Sequence, residues 1–263
     1  MPVVAGLAVT AVKALRLRDV DRIELGHEGV REDRRFYLID ARGRMINGKI
    51  VGELQSVVAD YSDPERRLRL EFPDGRVVED EIRLGDRITT SFFSEATVGS
   101  LVEGPWEAAL SEHFGRSLRL VEAGDRGTAV DRGGFGAASL ISRASLARLA
   151  RTGDEDAIDP RRFRMLIEID GVGAHEEDQW VGRKVRIGGA TVGFNGNVGR
   201  CLITSRHPDT GEIDLPTLDM LGDYRHHLYS TEPLPFGIYG QVLEPGTVRV
   251  GDEVAPMGSV PGR

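Results

Sequence analysis

Residues 184–214 read KVRIGGATVGFNGNVGRCLITSRHPDTGEID, and the reading of the whole chain starts from this stretch. KVRIGGATVGF, rich in β-branched residues, reads as strand material of a β-rich core. A Gly/Asn-rich bend follows and delivers the chain to Cys201, the only cysteine present, with Arg200 beside it and Arg206 a short way on. Nearby cations and backbone donors stabilise a thiolate, which suits this position to a metal ligand or a nucleophile. A buried, inert thiol is the competing reading of a single cysteine.

Working outward, MLIEID (165–170), GIYGQVLEPG (237–246) and TVRVGDEVAP (247–256) read as further strands of the same core. The first hundred residues predict a succession of short strands at Leu7 to Val12, Arg35 to Ile39, Gln55 to Tyr61, Leu68 to Phe72, Val77 to Glu81 and Arg87 to Phe93. Turn chemistry in DARGR, SDPE and FPDGR separates them. Such spacing favours a small barrel or a strongly bent sheet. A helix is predicted from Pro105 to Phe114, a strand from Leu118 to Glu122, and a helix from about Leu215 to Tyr229. Ser142 precedes ASLARLAR and is placed to N-cap a helix ending near Gly153. Between them DRGTAVDRGGFGAAS (125–139) lacks periodicity and predicts a mobile loop, a candidate lid. The expectation is a mainly β protein with a few helices (α+β), in which a small β-barrel-like lobe (1–100) packs on a β-barrel core (101–263).

Composition narrows the function classes. With 263 residues, 40% of them hydrophobic, the chain has material for a sizeable core. A net charge of -8 argues against a general nucleic-acid binder, since phosphates are met by clustered Lys and Arg, although a local basic pocket stays open. No apolar run approaches the roughly 20 residues that span a bilayer, so no membrane association is expected. A single cysteine cannot form an intramolecular disulfide, and the N-terminus lacks a signal-peptide pattern; a reducing cytoplasm is the expected compartment.

Familiar cysteine chemistries fit Cys201 poorly. His207 is near in sequence, but a Cys-His hydrolase also needs an orienting third group and a donor-lined hole. Zinc needs several Cys or His ligands, and His207, His226 and His227 have no second cysteine beside them. A solitary thiolate suits a metal whose other ligands come from a cofactor, and molybdenum held by a pterin dithiolene is such a case.

GRCLITSRHPDTGEID, LDMLGDYR, PFGIYGQV and PGTVRVGDEV, in this order and spacing, resemble the C-terminal region of MOSC-domain proteins, the family named after the molybdenum cofactor sulfurase C-terminus. DPRRFRMLIEIDGVGAHEEDQWVGRKVRIGG resembles the same family's RFR segment. LAVTAVKALRL and GHEGVREDRRFYLIDARGR are similar to the associated MOSC N-terminal β-barrel domain. The resemblance runs over nearly the whole chain and is strongest toward the amidoxime-reducing members of the family. It implies the molybdenum cofactor (Mo-molybdopterin), with Cys201 as the metal ligand, and Lys13, Arg34, Arg35 and Arg164 on the pterin and its phosphate. Arg forks and a Lys point charge suit a phosphate of about two negative charges. Leu166 stands where the family commonly has Asn, and MINGKIVGEL, with Asn47 and Lys49, replaces a Thr/Arg-containing segment.

Each position also has an ordinary structural reading. Lys13 can flank an edge strand, Arg34 and Arg35 can pair with Glu32 and Asp33, and Arg161, Arg162 and Arg164 can form a solvated run. Ser142 can donate to the cofactor or simply cap its helix. Asn195 and Asn197 can shape the bend or touch the cofactor, Arg200, beside the thiol, is counted among the cofactor-binding residues, and Arg225 can contact the cofactor or form an ion pair. Trp180 reads as a core anchor. The leading expectation is a molybdenum-pterin oxidoreductase that reduces small N-oxygenated substrates such as hydroxylamines and amidoximes. With no iron-sulfur cysteine cluster of its own, it would take electrons from an external ferredoxin- or flavin-type reductase. The alternatives are a sulfur or cofactor carrier using a Cys201 persulfide, and a binding domain that keeps only the fold.

Overall fold

The computed structural model describes residues 1–92, 95–124, 128–130, 132–228, 230 and 232–259. The chain begins with β1 (Val3–Val9), β2 (Arg18–Asp19), β3 (Arg22–Gly26), β4 (Gly29–Val30), β5 (Phe36–Ile39) and β6 (Met45–Ile46). Next come β7 (Val58–Ser62), β8 (Arg67–Glu71), β9 (Val77–Glu81), β10 (Arg83–Phe92), β11 (Glu95–Glu103), α1 (Trp106–Phe114) and β12 (Arg119–Ala123). The remainder comprises β13 (Ala138–Ser142), α2 (Arg143–Thr152), β14 (Ile167–Asp170), β15 (Arg183–Ile187), β16 (Ala190–Asn197), α3 (Thr217–Arg225), β17 (Ile238–Glu244), β18 (Gly246–Arg249) and β19 (Val254–Ser259). The protein is mainly β with few helices, as its succession of short β-branched segments and turns predicts.

The strands form open sheets, not the closed barrels expected from their spacing. The largest runs β19-β15-β16-β17-β13-β14-β1-β2. The edge of β1 away from β14 is shared: β2 pairs at Ala8 and Val9, and Glu253 bridges Val3 at the other end. Backbone bonds from Val4 to Asp252 (2.8 Å) and from Val254 to Pro2 (2.9 Å) bring the sheet back on itself. Neither contact is long enough to close a ladder. The five-stranded sheet β10-β11-β12-β5-β6 and the three-stranded sheets β18-β3-β4 and β7-β8-β9 complete the pairing.

Several pairings join segments far apart in the chain. β1 lies against β14, β3 against β18, and β5 against β12. β13 and β14 run parallel, which requires a crossover, and α2 provides it. Ser142 caps α2 by accepting from the Ser145 amide, and Gly153 follows its last turn.

Local differences from the sequence-based expectations have identifiable causes. The first strand ends at Val9 because Thr10 donates its amide to Asp33 Oδ1 (2.9 Å) and so leaves the ladder. Gln55 falls in a 3-10 turn, Gly52–Ser56, before β7. TVRVGDEVAP splits into β18 and β19 at Gly251, whose φ of 92° makes a turn only glycine takes freely. The predicted C-terminal helix is the shorter α3, and Tyr229 lies outside the described residues, as does Phe93. In the glycine-rich segment expected as a mobile lid, residues 125–127 and 131 also lie outside them; Gly133–Gly136 forms a 3-10 turn leading into β13.

One apolar core fills the large sheet, with Leu7, Ile167, Val185, Phe194 and Ile238 among its residues. A second joins residues 11–72 to α1, where buried Trp106 donates its indole N–H to the Leu68 carbonyl at 3.1 Å. A third lies under α2 and α3 around Phe163 and Phe236. Phe36 is fully buried in the second core, edge-on to Tyr61 at 5.1 Å, and its backbone holds Ala11 and Lys13. Phe36→Ala is expected to cost about 3–5 kcal/mol in a urea titration followed by tryptophan fluorescence, while the exposed Val77→Ala changes stability by under about 0.5 kcal/mol.

Candidate functional site

β16 ends at Asn197, and four residues later Cys201, in extended conformation, enters a 3-10 turn at Leu202–Ser205. Its carbonyl accepts from both the amide and the hydroxyl of Thr204, each at 3.0 Å. The turn is pinned to the start of α3, because the Thr217 hydroxyl meets Thr204 at 2.7 Å and Ser205 at 2.9 Å, all three buried. This fixes the backbone beneath a partly exposed thiol.

Arg200 points into the protein, with only 8% of its surface exposed. Its guanidinium donates to the Phe163 carbonyl (2.9 Å), to the Phe236 carbonyl through Nε (2.8 Å) and Nη2, and to the Met165 sulfur (3.1 Å). Among the described residues it has no carboxylate partner within ion-pair distance. Burial lowers its pKa, and the neighbouring Cys201 opposes that shift. An arginine stays charged regardless, so the thiol sits beside a desolvated cation.

The Phe163 carbonyl leads to the next element of the site. Arg164 donates to the Leu15 carbonyl (2.8 Å) and to Gln55 Oε1 (3.4 Å), while its own carbonyl accepts from Arg34 Nη2 (2.8 Å). Arg34 also contacts Asp33, and Lys13 donates from Nζ to the Ala129 carbonyl at 2.8 Å. Cys201, Arg200, Arg164, Arg34 and Lys13 are thus joined through short backbone links. Three of the chain's non-glycine residues in the left-handed region, Ala14 (φ 75°), Arg34 (φ 51°) and Arg164 (φ 54°), occur along this path. Each such conformation costs on the order of 1 kcal/mol and persists only where the surroundings impose it.

The other sequence-based candidates sit in different contacts. Arg35 pairs with Glu122 (2.7 Å) on β12, so its partner is neither Glu32 nor Asp33. Ser142 donates to Glu177 Oε2 (2.9 Å) while capping α2. Asn195 donates to the Phe135 carbonyl (3.3 Å), and Asn197 to Asp178 Oδ1 (2.8 Å). Arg225 is buried, with Asp178 at 2.8 Å and the Pro235 carbonyl as partners, one residue from the Phe236 carbonyl that holds Arg200. Trp180 is buried in the large core.

Gln55 is the residue that sequence reading missed. Only 1% exposed, it accepts from Arg164 and donates to the His207 carbonyl (3.2 Å), and its own carbonyl accepts from Arg16 (3.0 Å). A glutamine set between Leu54 and Ser56, just before the apolar Val57–Val58, was its one visible signal. Arg162 was read only as part of a basic run. It forks onto Asp214 at 2.6 and 2.7 Å and also donates to the Arg206 carbonyl (2.9 Å).

Behind the site lie two titratable groups, buried Glu177 and half-buried His175. Glu177 collects both Ser142 and Ser145 hydroxyls, and burial raises its pKa despite them. His175 packs against Tyr224 (5.6 Å) and Phe236 (5.7 Å), and among the described residues neither ring nitrogen has a hydrogen-bond partner. Burial, then Arg225 and Arg148, push its pKa down to about 4.

Comparisons with known proteins add the following. Residues 111–255 match the family model described as MOSC domain, and residues 1–105 the one described as MOSC N-terminal beta barrel domain. The chain is similar to human "Mitochondrial amidoxime reducing component 2", 38% identical over 125 residues, covering 45% of this chain and 36% of that protein. "Mitochondrial amidoxime-reducing component 1" of Mus musculus is 36% identical over 126 residues, again 45% of this chain and 36% of the relative. The match therefore spans about a third of the length of these relatives. Among solved structures, the YUAD protein from Bacillus subtilis is similar over 99% of this chain and 98% of its own, with a TM-score of 0.49 and 15% identity. YiiM from Escherichia coli is similar over 54% of this chain and 60% of its own, with a TM-score of 0.35 and 17% identity.

The His175 environment has a measurable consequence. Folded His175 refuses a proton until about pH 4, whereas an unfolded histidine accepts one near 6.5. Stability is therefore full above the upper value and declines as pH falls through the window between them. A melting temperature measured across this window is expected to fall less steeply in His175→Asn, which tolerates the φ of 62° at this position.

Proposed function

This chain belongs to the MOSC domain family, and from that premise we propose that it is a molybdenum-cofactor-dependent reductase of N-hydroxylated compounds, with Cys201 as the protein ligand of the metal. The observation that carries the reading is the thiol beside buried Arg200, backbone-linked to Arg164, Arg34 and Lys13. The amidoxime-reducing relatives support the reaction class, and the family supports the cofactor.

The residues present fit such a group. Among the described residues no cluster of three His, Cys, Asp or Glu side chains offers a site built from protein ligands alone. One thiol can complete a metal whose other ligands arrive with a pterin. In this reading Lys13, Arg34 and Arg164 hold the pterin phosphate, each already anchored at one end by a carbonyl or carboxylate. Arg200 and Arg225 act from behind, steadying the Phe163–Arg164 and Pro235–Phe236 backbones. Arg35 through Glu122, Ser142 through Glu177 and Asn195 through Phe135 brace the surrounding loops.

When bound, the cofactor supplies two-electron removal of oxygen from an N–O bond. The chain's part is to position it, to compensate its charge with fixed cations, and to keep Cys201 on a turn that cannot drift. An external electron donor of ferredoxin or flavin type, and a reducing cytoplasmic compartment, belong to the same proposal. Among the described residues no helix is long and apolar enough to cross a membrane.

Protein made in a host that synthesises the pterin is expected to carry close to one molybdenum per chain by elemental analysis. Cys201→Ser should lower molybdenum occupancy by at least about tenfold, and Arg164→Ala should weaken pterin retention. Wild-type protein without molybdenum or pterin overturns the reading. One added sulfur on Cys201 by mass spectrometry, without hydroxylamine turnover, identifies a persulfide carrier instead.

A further inference from the structure

The segment that carries Cys201 has two loops against it. Glu232 lies directly on Gly199, where an added Cβ would stand 2.8 Å from both the Glu232 Cβ and its Oε2. The next residue's carbonyl, that of Pro233, accepts the Arg200 amide at 3.0 Å. From the other side comes the glycine-rich loop, tied to the site where Lys13 holds the Ala129 carbonyl. Three residues on, Arg132 donates to Glu232 Oε1 at 2.6 Å and lays its guanidinium over the Tyr239 ring, 4.3 Å from the centroid. Arg132 is close enough to Arg200 to oppose its charge.

We propose that the Arg132–Glu232 ion pair is the gate beside Cys201 and determines the charge of the molecules that reach it. Closed, the pair joins the two loops and presents a neutral rim. Its side chains are 29% and 35% exposed, and an ion pair this exposed is weak, so it can open without unfolding its surroundings. With Glu232 matching Arg132, the rim adds no net charge of its own to draw anions past it, and uncharged N-hydroxy compounds are the class it favours. Without Glu232, Arg132 adds a cation beside Arg200; without Arg132, Glu232 leaves an unopposed negative charge on the Gly199–Cys201 segment. The substrate class rests on the function proposed above, whereas the gate is a property of access to the thiol alone.

Cys201 is the only cysteine, so thiol alkylation, followed by mass on the peptide that contains it, reports on this site alone. The test uses protein from a host that makes no pterin, with iodoacetamide as the neutral probe and iodoacetate as the anionic one. The ratio of the two second-order rates cancels changes in the thiol's own ionisation, which alter both alike. Glu232→Gln is expected to raise the iodoacetate-to-iodoacetamide ratio about three- to tenfold, and Arg132→Gln to lower it by a similar factor, as expected for about one unit of charge added or removed near the reacting thiol at intermediate dielectric. The double variant R132A/E232A, open and neutral, should raise both rates together and leave the ratio at the wild-type value. Ratios within twofold of wild type in both single variants, or wild-type rates in the double variant, overturn the gate. Because no cofactor is involved, these outcomes are separate from the molybdenum analysis.

Discussion

The interaction on which the site depends is the arginine fork donating to backbone carbonyls. Loops that gather at the end of a sheet carry carbonyls outside the ladders, and buried carbonyls need partners. Here Arg200 serves Phe163 and Phe236, Arg164 serves Leu15, Arg34 serves Arg164, and Arg16 serves Gln55, Ser56 and Asp209. Five rigidly disposed N–H donors let one side chain tie several strands of loop, which a lysine cannot do. Residues from both halves of the sequence are thereby held in one place, with positive charge concentrated there.

The same stitching explains the backbone strain. Ala14, Arg34 and Arg164 take left-handed conformations in which no side chain rests comfortably, and each is bracketed by a fork or by a ladder bond. A site built from strained loops is rigid only while its ties are complete. Gln55 illustrates the point, since its amide links the Arg164 guanidinium to the His207 carbonyl beyond the cysteine turn. Its role is to fix the arginine's direction, not to meet a ligand.

What could be read in the sequence follows from the range of the interactions involved. Ser142 as an N-cap and the alternation of strands with turns are local properties, and they appear where the residues indicate. The pairing of β1 with β14, more than 150 residues away, is set by the complementarity of apolar faces, and no short window contains it. Arg162 looked like a member of a solvated basic run and Arg200 like a cation turned to the site, because a guanidinium's partner can be a carbonyl, and a carbonyl leaves no mark in a sequence. Cys201 was visible because its residue type is rare in this chain. Thr204, Ser205 and Thr217, which pin its turn, were hidden because their residue types are common.

Charge separates inside from outside in a way that bears on access. The chain carries a net charge of -8, yet the path from Lys13 to Arg200 is cationic. At physiological ionic strength fields from exposed groups fade over about 8 Å, while partly buried charges are screened less. An approaching anion therefore meets an acidic exterior before it can sense the basic interior. A group bound with high affinity and long residence can exploit that interior, whereas a molecule that must enter and leave at every turnover does so most readily without charge. Under the function proposed above, this division of charge lets a phosphate-bearing ligand be retained while small neutral molecules exchange.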